Sequence, residues 1–299
     1  MTVTPLFDRV VVTGAGAVCG AADPVPLLKA RKLRKFMGTQ DDLAVVAAGR
    51  ALEAASLSGP LGERCGLFLA VGYIPFDGDD IDRLLTASLD AGRFSMARFA
   101  ENAFTAINPL LTFRVLPNMP AFHVSLNFDI QGPYAVSYPG AGQFYGVLEE
   151  AAAALDEGTV DVALVGGVAD QRNALVEHHF SRVSPPVDAG RLANASGFIV
   201  LERAEDASAR GVRPHARVID WRIEYAAENP FEPRARPKRA KRVEGPRECL
   251  ARDGVCVRDG RELGPASLPV AIASIRGARL SHELRTRDGF AAASVWEVA

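Results

Sequence analysis

One stretch constrains this chain more than any other: Gly132 to Ala151, GPYAVSYPGAGQFYGVLEEA. A short β-favouring run enters a turn at Tyr138-Pro139-Gly140, and an alanine-rich helical pattern follows. Such a turn presents one residue at a helix N-terminus, where backbone N–H groups stabilise an anion or a thiolate. The residue at the tip is Gly140, which has no side chain.

The rest of the chain surrounds that unit with alternating elements. Arg9–Thr13 is a continuous apolar run that reads as a buried strand, and Gly14-Ala15-Gly16 reads as a tight turn after it. Gln40–Leu57 has helical spacing, with Asp41 and Asp42 in its first turn and Ser58-Gly59-Pro60 as its stop. Gly66–Val71, Tyr134–Tyr138, Val160–Val168 and Ser196–Arg203 read as strands, and Gly142–Glu157 as a helix closed by Gly158. Asp79–Ala91 reads as a helix, and Asn108–Met119 starts with Pro109 at a position that a first helical turn tolerates. Ala121–Asp129 alternates in polarity and reads by periodicity as a strand. Beyond Gly211, His215–Tyr225 alternates like a half-exposed strand, 230–247 is a proline-broken basic loop, and Pro269–Ile275 reads as a strand. Phe290–Val298 fits a short helix or a terminal strand. Strands separated by helices predict an α/β protein with a mostly parallel, helix-covered sheet.

Composition narrows the function classes. The 299 residues are 48% hydrophobic and 23% charged, with a formal net charge of -2. That balance is globular and gives no global attraction to nucleic acid. No apolar run is long enough to span a bilayer and no N-terminal signal pattern is visible, so a cytoplasmic location is expected. The turn at Gly14 and Gly16 lacks the third glycine of a dinucleotide fingerprint, since Cys19 stands there. No Tyr-x-x-x-Lys pair and no G-x-S-x-G elbow occur. His178 and His179 are adjacent and diverge, while His123, His215 and His282 stand alone and read as structural or surface histidines. Cys249 and Cys256 read as core or loop thiols. No metal and no cofactor is expected. The basic run Lys29–Lys35 and the loop Arg234–Arg247 are solvated faces or docking sites for an acidic partner.

Several motifs in order resemble the β-ketoacyl synthases of the thiolase fold. RVVVTGAGAV resembles that family's opening strand, and KLRKFMGTQDDLAVVAAGRALEAASL its first long helix with the preceding basic segment. LPNMPAFHVSLNFDIQGP is similar to the segment leading to the nucleophile turn, which the family builds as helix, against the alternation of Ala121–Asp129. DVALVGGV, SPPVDAGR and SGFIVLERAEDASARG follow in the family's sequence, and RDGFAAASVWEVA resembles its closing loop and strand, favouring strand for Ala293–Val298. The resemblance implies a helix-covered mixed sheet, with residues 1–211 as a ketosynthase N-terminal-like domain and 212–299 as a shortened C-terminal half.

It also implies what is missing. The family places an acyl-accepting cysteine at the turn and assists it with two histidines from the second half. Here Gly140 occupies the nucleophile position, and no H-G-T motif follows. Pro139, Gly140 and Gln143 then form a vestigial pocket. Gly132, Pro133, Tyr134, Ala135, Val136, Ser137 and Tyr138 match the strand through which the family's dimers join. Phe104, Ile107, Leu110, Phe113 and Phe144 fall by position near its acyl tunnel. The implied role is a non-catalytic, chain-length-factor-like subunit. Its partners would be an active ketosynthase and an acyl-carrier protein, in type II polyketide or fatty-acid-like assembly, aryl polyenes included. The alternatives are an enzyme using a residue such as Gln143 or His123, and a carrier-docking module acting through the basic segments.

Overall fold

The computed structural model describes residues 5–76, 78–138, 142–225, 243–244, 246–286 and 289–299. Its centre is one ten-stranded sheet. The strands, in chain order, are β1 Val10–Cys19, β2 Cys65–Val71, β3 Tyr134–Ser137, β4 Val162–Ala169, β5 Ala195–Arg203, β6 Ala216–Tyr225, β7 Arg247–Arg252, β8 Val255–Asp259, β9 Ala278–Arg285 and β10 Phe290–Val298. Across the sheet they run β8-β7-β9-β10-β6-β1-β5-β4-β2-β3. β3, β2 and β4 are parallel, and every pairing from β4 to β8 is antiparallel. The helices of eight residues or more are α1 Thr39–Ala54, α2 Gly78–Ala87, α3 Met119–Phe128, α4 Gln143–Asp156, α5 Ala174–Ser181 and α6 Ser267–Ser274.

Alternation along the strands builds two cores. Leu67, Leu69, Leu164 and Phe198 face α1 and α3, where Val46, Ala47, Ala51 and Val124 meet them. Phe68, Val165, Ile199 and Leu201 face the opposite layer of α4 and α6, with Tyr145, Leu148, Leu155, Leu268 and Ile272. Both faces of these strands are covered, so they read as unbroken apolar runs. In β9 and β10 only alternate residues are buried, among them Leu280, His282, Leu284, Ser294 and Trp296, so this part of the sheet packs on one face.

Several expectations are corrected. Gly14-Ala15-Gly16 is no turn: β1 runs through it to Cys19, with a bulge between Val12 and Gly14. The glycines admit α1 instead. A Cβ on Gly14 would sit 2.4 Å from the Ala51 carbonyl oxygen, and one on Gly16 2.4 Å from the Ala51 nitrogen. Pro269–Ile275 is helix, not strand. Its apolar run is short enough to suit either, and Pro269 falls in the first turn of α6, where a missing N–H costs nothing. Ala121–Asp129 is the body of α3, as the resemblance implied and periodicity denied. The helix expected over Asp79–Ala91 ends at Ala87. Ala91 and Gly92 then take left-handed conformations, turning Leu89–Asp90 back onto Arg93–Phe94. In Asn108–Met119 the helix covers only Leu111–Val115. Phe290–Val298 is strand. Cys249 and Cys256 are joined as a disulfide across the β7–β8 hairpin rather than standing as separate thiols. The expected basic loop 230–247 lies outside the described residues, apart from 243–244 and 246–247.

His123, on α3, is fully buried and neither ring nitrogen has a hydrogen-bond partner. Burial pushes it down to about 4, with the Phe36 backbone pulling weakly the other way. The unfolded chain therefore takes up a proton near pH 6.5 that the folded chain refuses until about pH 4. This contribution is complete above pH 6.5 and is lost as pH falls toward 4, an effect of about 3 kcal/mol. Asp42 acts in the opposite sense, since burial raises its carboxyl to about 6. A comparison of variants isolates the histidine: His123→Leu should gain stability relative to wild type as pH is lowered from 7 to 4.5 in urea titrations. Gly14→Ala should lose about 1–3 kcal/mol in the same assay at pH 7, because its Cβ meets helix backbone that cannot yield cheaply.

Candidate functional site

The site lies where β3 passes into α4. Pro139, Gly140 and Ala141 are outside the described residues, and the structure resumes at Gly142. Gly142 caps α4 in a left-handed conformation with φ 85°. A Cβ there would stand 2.3 Å from Cε1 of Phe290, so this aromatic ring closes directly over the start of the helix. Gln143 opens α4 and lines a cavity of ≈ 70 Å³ together with Phe144, Tyr145, Gln171, Glu248 and His282. A second cleft of ≈ 330 Å³, lined by Gly142, Gln143, Ile223 and Phe290 among others, borders the same helix start.

A polar network runs behind the cavity. Tyr145 Oη lies 2.9 Å from His282 Nδ1, 3.1 Å from Ser294 Oγ and 3.2 Å from the His282 carbonyl oxygen. His282 Nε2 lies 2.7 Å from Glu248 Oε1. Trp296 Nε1 donates to Ser294 Oγ at 2.9 Å, and Trp221 Nε1 to Glu149 Oε1 at 2.9 Å. The Tyr145 ring packs 4.6 Å from Trp221 and stacks at 5.6 Å on His282. Burial pushes the Tyr145 phenol above its ordinary range, against the Ser294 hydrogen bond. Gly260 leaves room for the Glu248 carboxylate, since a Cβ there would be 2.2 Å from Oε1. His282 thus links Glu248 to Tyr145 in a buried chain that Tyr145 extends to Ser294, and Glu248, Tyr145 and Ser294 were not singled out from sequence. The legible signal was modest: His282 alternates with Leu280 and Leu284 on the buried face of β9.

No described thiol serves this site. Cys65 is buried at the start of β2, and burial pushes it up to about 12. Cys19 ends β1 and is also raised by burial. Neither lines the cavity, and a thiol so raised is a poor nucleophile. Among the described residues no group of three or more His, Cys, Asp or Glu is placed to hold a metal ion. His179 Nε2 lies 3.4 Å from Tyr73 Oη, and His215 Nε2 lies 3.0 Å from the Ile272 carbonyl.

Of the tunnel candidates, Phe144 lines the cavity. Ile107 and Leu110 are half-buried elsewhere, Phe113 is exposed beside Phe36 at 5.8 Å, and the Phe104 side chain lies outside the described atoms. The predicted dimer strand forms β3, at the end of the sheet. It pairs with β2 on one side, and no described strand pairs with the other. Gly132 and Pro133 hold its entry: Gly132 N donates to Cys65 O and Leu67 N donates to Pro133 O. Tyr134 is 71% exposed.

A mixed sheet whose parallel end is covered on both faces by helices, with β3 leading toward α4 there, is the thiolase-like ketosynthase architecture. Residues 15–207 match the family model "Beta-ketoacyl synthase, N-terminal domain", and the chain belongs to this family. Over 151 residues, 44% of this chain, it is 26% identical to a mitochondrial 3-oxoacyl-[acyl-carrier-protein] synthase of Arabidopsis thaliana, and the match spans 33% of that enzyme's length. Among solved structures it is similar to a type II polyketide acyl-carrier protein in complex with its ketosynthase bound to the hexaketide (AntDE:AntF). The TM-score is 0.65 at 14% identity, covering 97% of this chain and 99% of that one. It is also similar to the ishigamide ketosynthase/chain length factor, with TM-score 0.53 at 24% identity, covering 73% of this chain and 64% of that one. A β-ketoacyl synthase from Burkholderia phymatum gives TM-score 0.55 at 19% identity, covering 75% of this chain and 66% of that one. At these identities the likenesses establish the fold.

The network yields a stability prediction. Tyr145→Phe and His282→Phe should each cost about 1–3 kcal/mol in chemical denaturation, since each leaves buried polar atoms without partners. The double variant should cost less than the sum of the two.

Proposed function

We propose that this protein is a non-catalytic ketosynthase-like subunit of the chain-length-factor class, pairing with an active ketosynthase in type II polyketide or fatty-acid-like assembly. The observation that carries the reading is the turn itself. Its sequence offers Pro139, Gly140 and Ala141 where acyl transfer needs a thiol, and Phe290 seals the start of α4. Residues 1–211 are taken as the ketosynthase-like part and 212–299 as a reduced C-terminal half built of antiparallel strands and α6.

The unpaired edge of β3 supports the partner. A strand edge with free N–H and C=O groups, flanked by an exposed aromatic residue, favours pairing with another sheet. The carrier protein is proposed to meet Arg31, Lys32 and Lys35, which are exposed, as an acidic surface would. Phe144 is the tunnel candidate best supported, because it reaches the cavity. His123 is sealed inside α3's packing away from the cavity, which weighs against the reading in which it serves as a catalytic residue.

Incubated alone with acyl-carrier protein, the protein should acquire no acyl group by intact mass; a stable adduct would overturn the reading. Co-expressed with an active ketosynthase, it should elute as a heterodimer. Tyr134→Asp should weaken that dimer by about tenfold or more while leaving the circular dichroism spectrum unchanged. In the reconstituted complex, Phe144→Ala should shift product length, and an unchanged product spectrum would return Phe144 to a packing role.

A further inference from the structure

We infer that the Cys249–Cys256 disulfide is a redox control on the seat of α4, acting through Glu248, His282 and Tyr145. The pair stands on the β7–β8 hairpin at the outer edge of the sheet, opposite β3. Cys256 is exposed and Cys249 half-buried, so a reductant reaches the bond from solvent. Val255 and Val257 beside it are 67% and 51% exposed, and β8 pairs with β7 alone among the described strands. Beyond the hairpin's own hydrogen bonds, the end of β8 is tied down by Arg261, which pairs with Asp259 and donates to the Pro185 carbonyl, while the tip at Val255 and Cys256 is exposed.

Both arms of the hairpin converge on one carboxylate. Glu248 directly precedes Cys249 on β7. β8 leads into Gly260, whose backbone closes on the Glu248 carboxylate so tightly that a Cβ would stand 2.2 Å from Oε1. The covalent link therefore ties together the two arms that form the Glu248 seat, one of which also pairs with β9. From there the path is short: Glu248 Oε1 to His282 Nε2 at 2.7 Å, then His282 Nδ1 to Tyr145 Oη at 2.9 Å. Tyr145 is the third residue of α4, in the turn that lines the cavity.

The step balances with a dithiol reductant. One thiolate of the dithiol attacks a sulfur of the pair, the Cys249–Cys256 bond breaks, and the second thiol resolves the mixed disulfide. The reductant leaves as a disulfide, having passed two electrons and two protons to the protein, which now carries two thiols. The hairpin edge is then free to fray, Gly260 no longer confines Glu248, and the histidine loses its fixed acceptor. Oxidation restores the seat.

The protein carries its own reporter. Its two tryptophans, Trp221 and Trp296, are both buried in this network, one against the Tyr145 ring and the other on Ser294 Oγ. Full-length protein would be equilibrated with oxidised or reduced dithiothreitol, its thiols counted after denaturation, and its tryptophan emission recorded before denaturation. The expected result is two thiols in the oxidised sample and four in the reduced one, with a red shift of emission on reduction. Cys256→Ser should show the red-shifted emission under both conditions. Glu248→Ala should show it while still oxidised, with nothing added by dithiothreitol. Four thiols in the oxidised sample would overturn the proposal. So would emission that stays put when the thiol count rises from two to four, because the hairpin would then be reduced without disturbing the seat of α4.

Discussion

The contact between Tyr145 and His282 joins what would otherwise be two sheets in name only. β1 and β6 are paired through a single register position, Val12 opposite Ala216, so backbone hydrogen bonding across the middle of the sheet is thin. The side chains carry the junction. Tyr145 projects from α4, in the α/β half, into a pocket of Trp221, His282 and Ser294 supplied by β6, β9 and β10. Phe7 extends the cluster at 4.7 Å from Trp221. A phenol in such a place is stable only if its hydroxyl is satisfied, and three polar atoms within 3.2 Å satisfy it. The network is correspondingly sensitive: a partly satisfied buried chain is worse than none.

That junction also shapes the site. The start of α4 at Gly142 meets residues of the C-terminal strands. Phe290 covers Gly142 and the Tyr145 network stands behind, with a cavity of ≈ 70 Å³ and a cleft of ≈ 330 Å³ both reaching Gly142 and Gln143. The two ends of the sheet differ. No described strand pairs with the outer side of β3, and the β7–β8 hairpin closes the opposite edge with a disulfide.

Much of the α/β half was legible because its cause is local. β2, β4 and β5 are buried on both faces and show as apolar runs, and α1 and α4 carry their own stop signals. Where local cues misled, a tertiary requirement had overridden them. Gly14 and Gly16 look like a turn but serve the approach of α1 to β1 within van der Waals contact. Pro269 and its apolar neighbours look like a strand but form a helix packed against β1 and β5. Ala121–Asp129 alternates, yet it is helix because Ala121 and Val124, three apart, are buried in the core shared by α1 and the sheet.

The sequence by itself determined the strand before α4, the helix itself, the order of the ketosynthase motifs and the absence of a cysteine between Gly132 and Ala151, since each is written in consecutive residues. Only the tertiary structure decided what packs against the start of α4. Glu248, His282, Ser294 and Tyr145 lie on four different elements, with 137 positions between Tyr145 and His282. Nothing in their local patterns says that they meet. They meet because the C-terminal strands extend the first sheet rather than forming a second one, which brings the buried face of β9 and β10 against the first turn of α4.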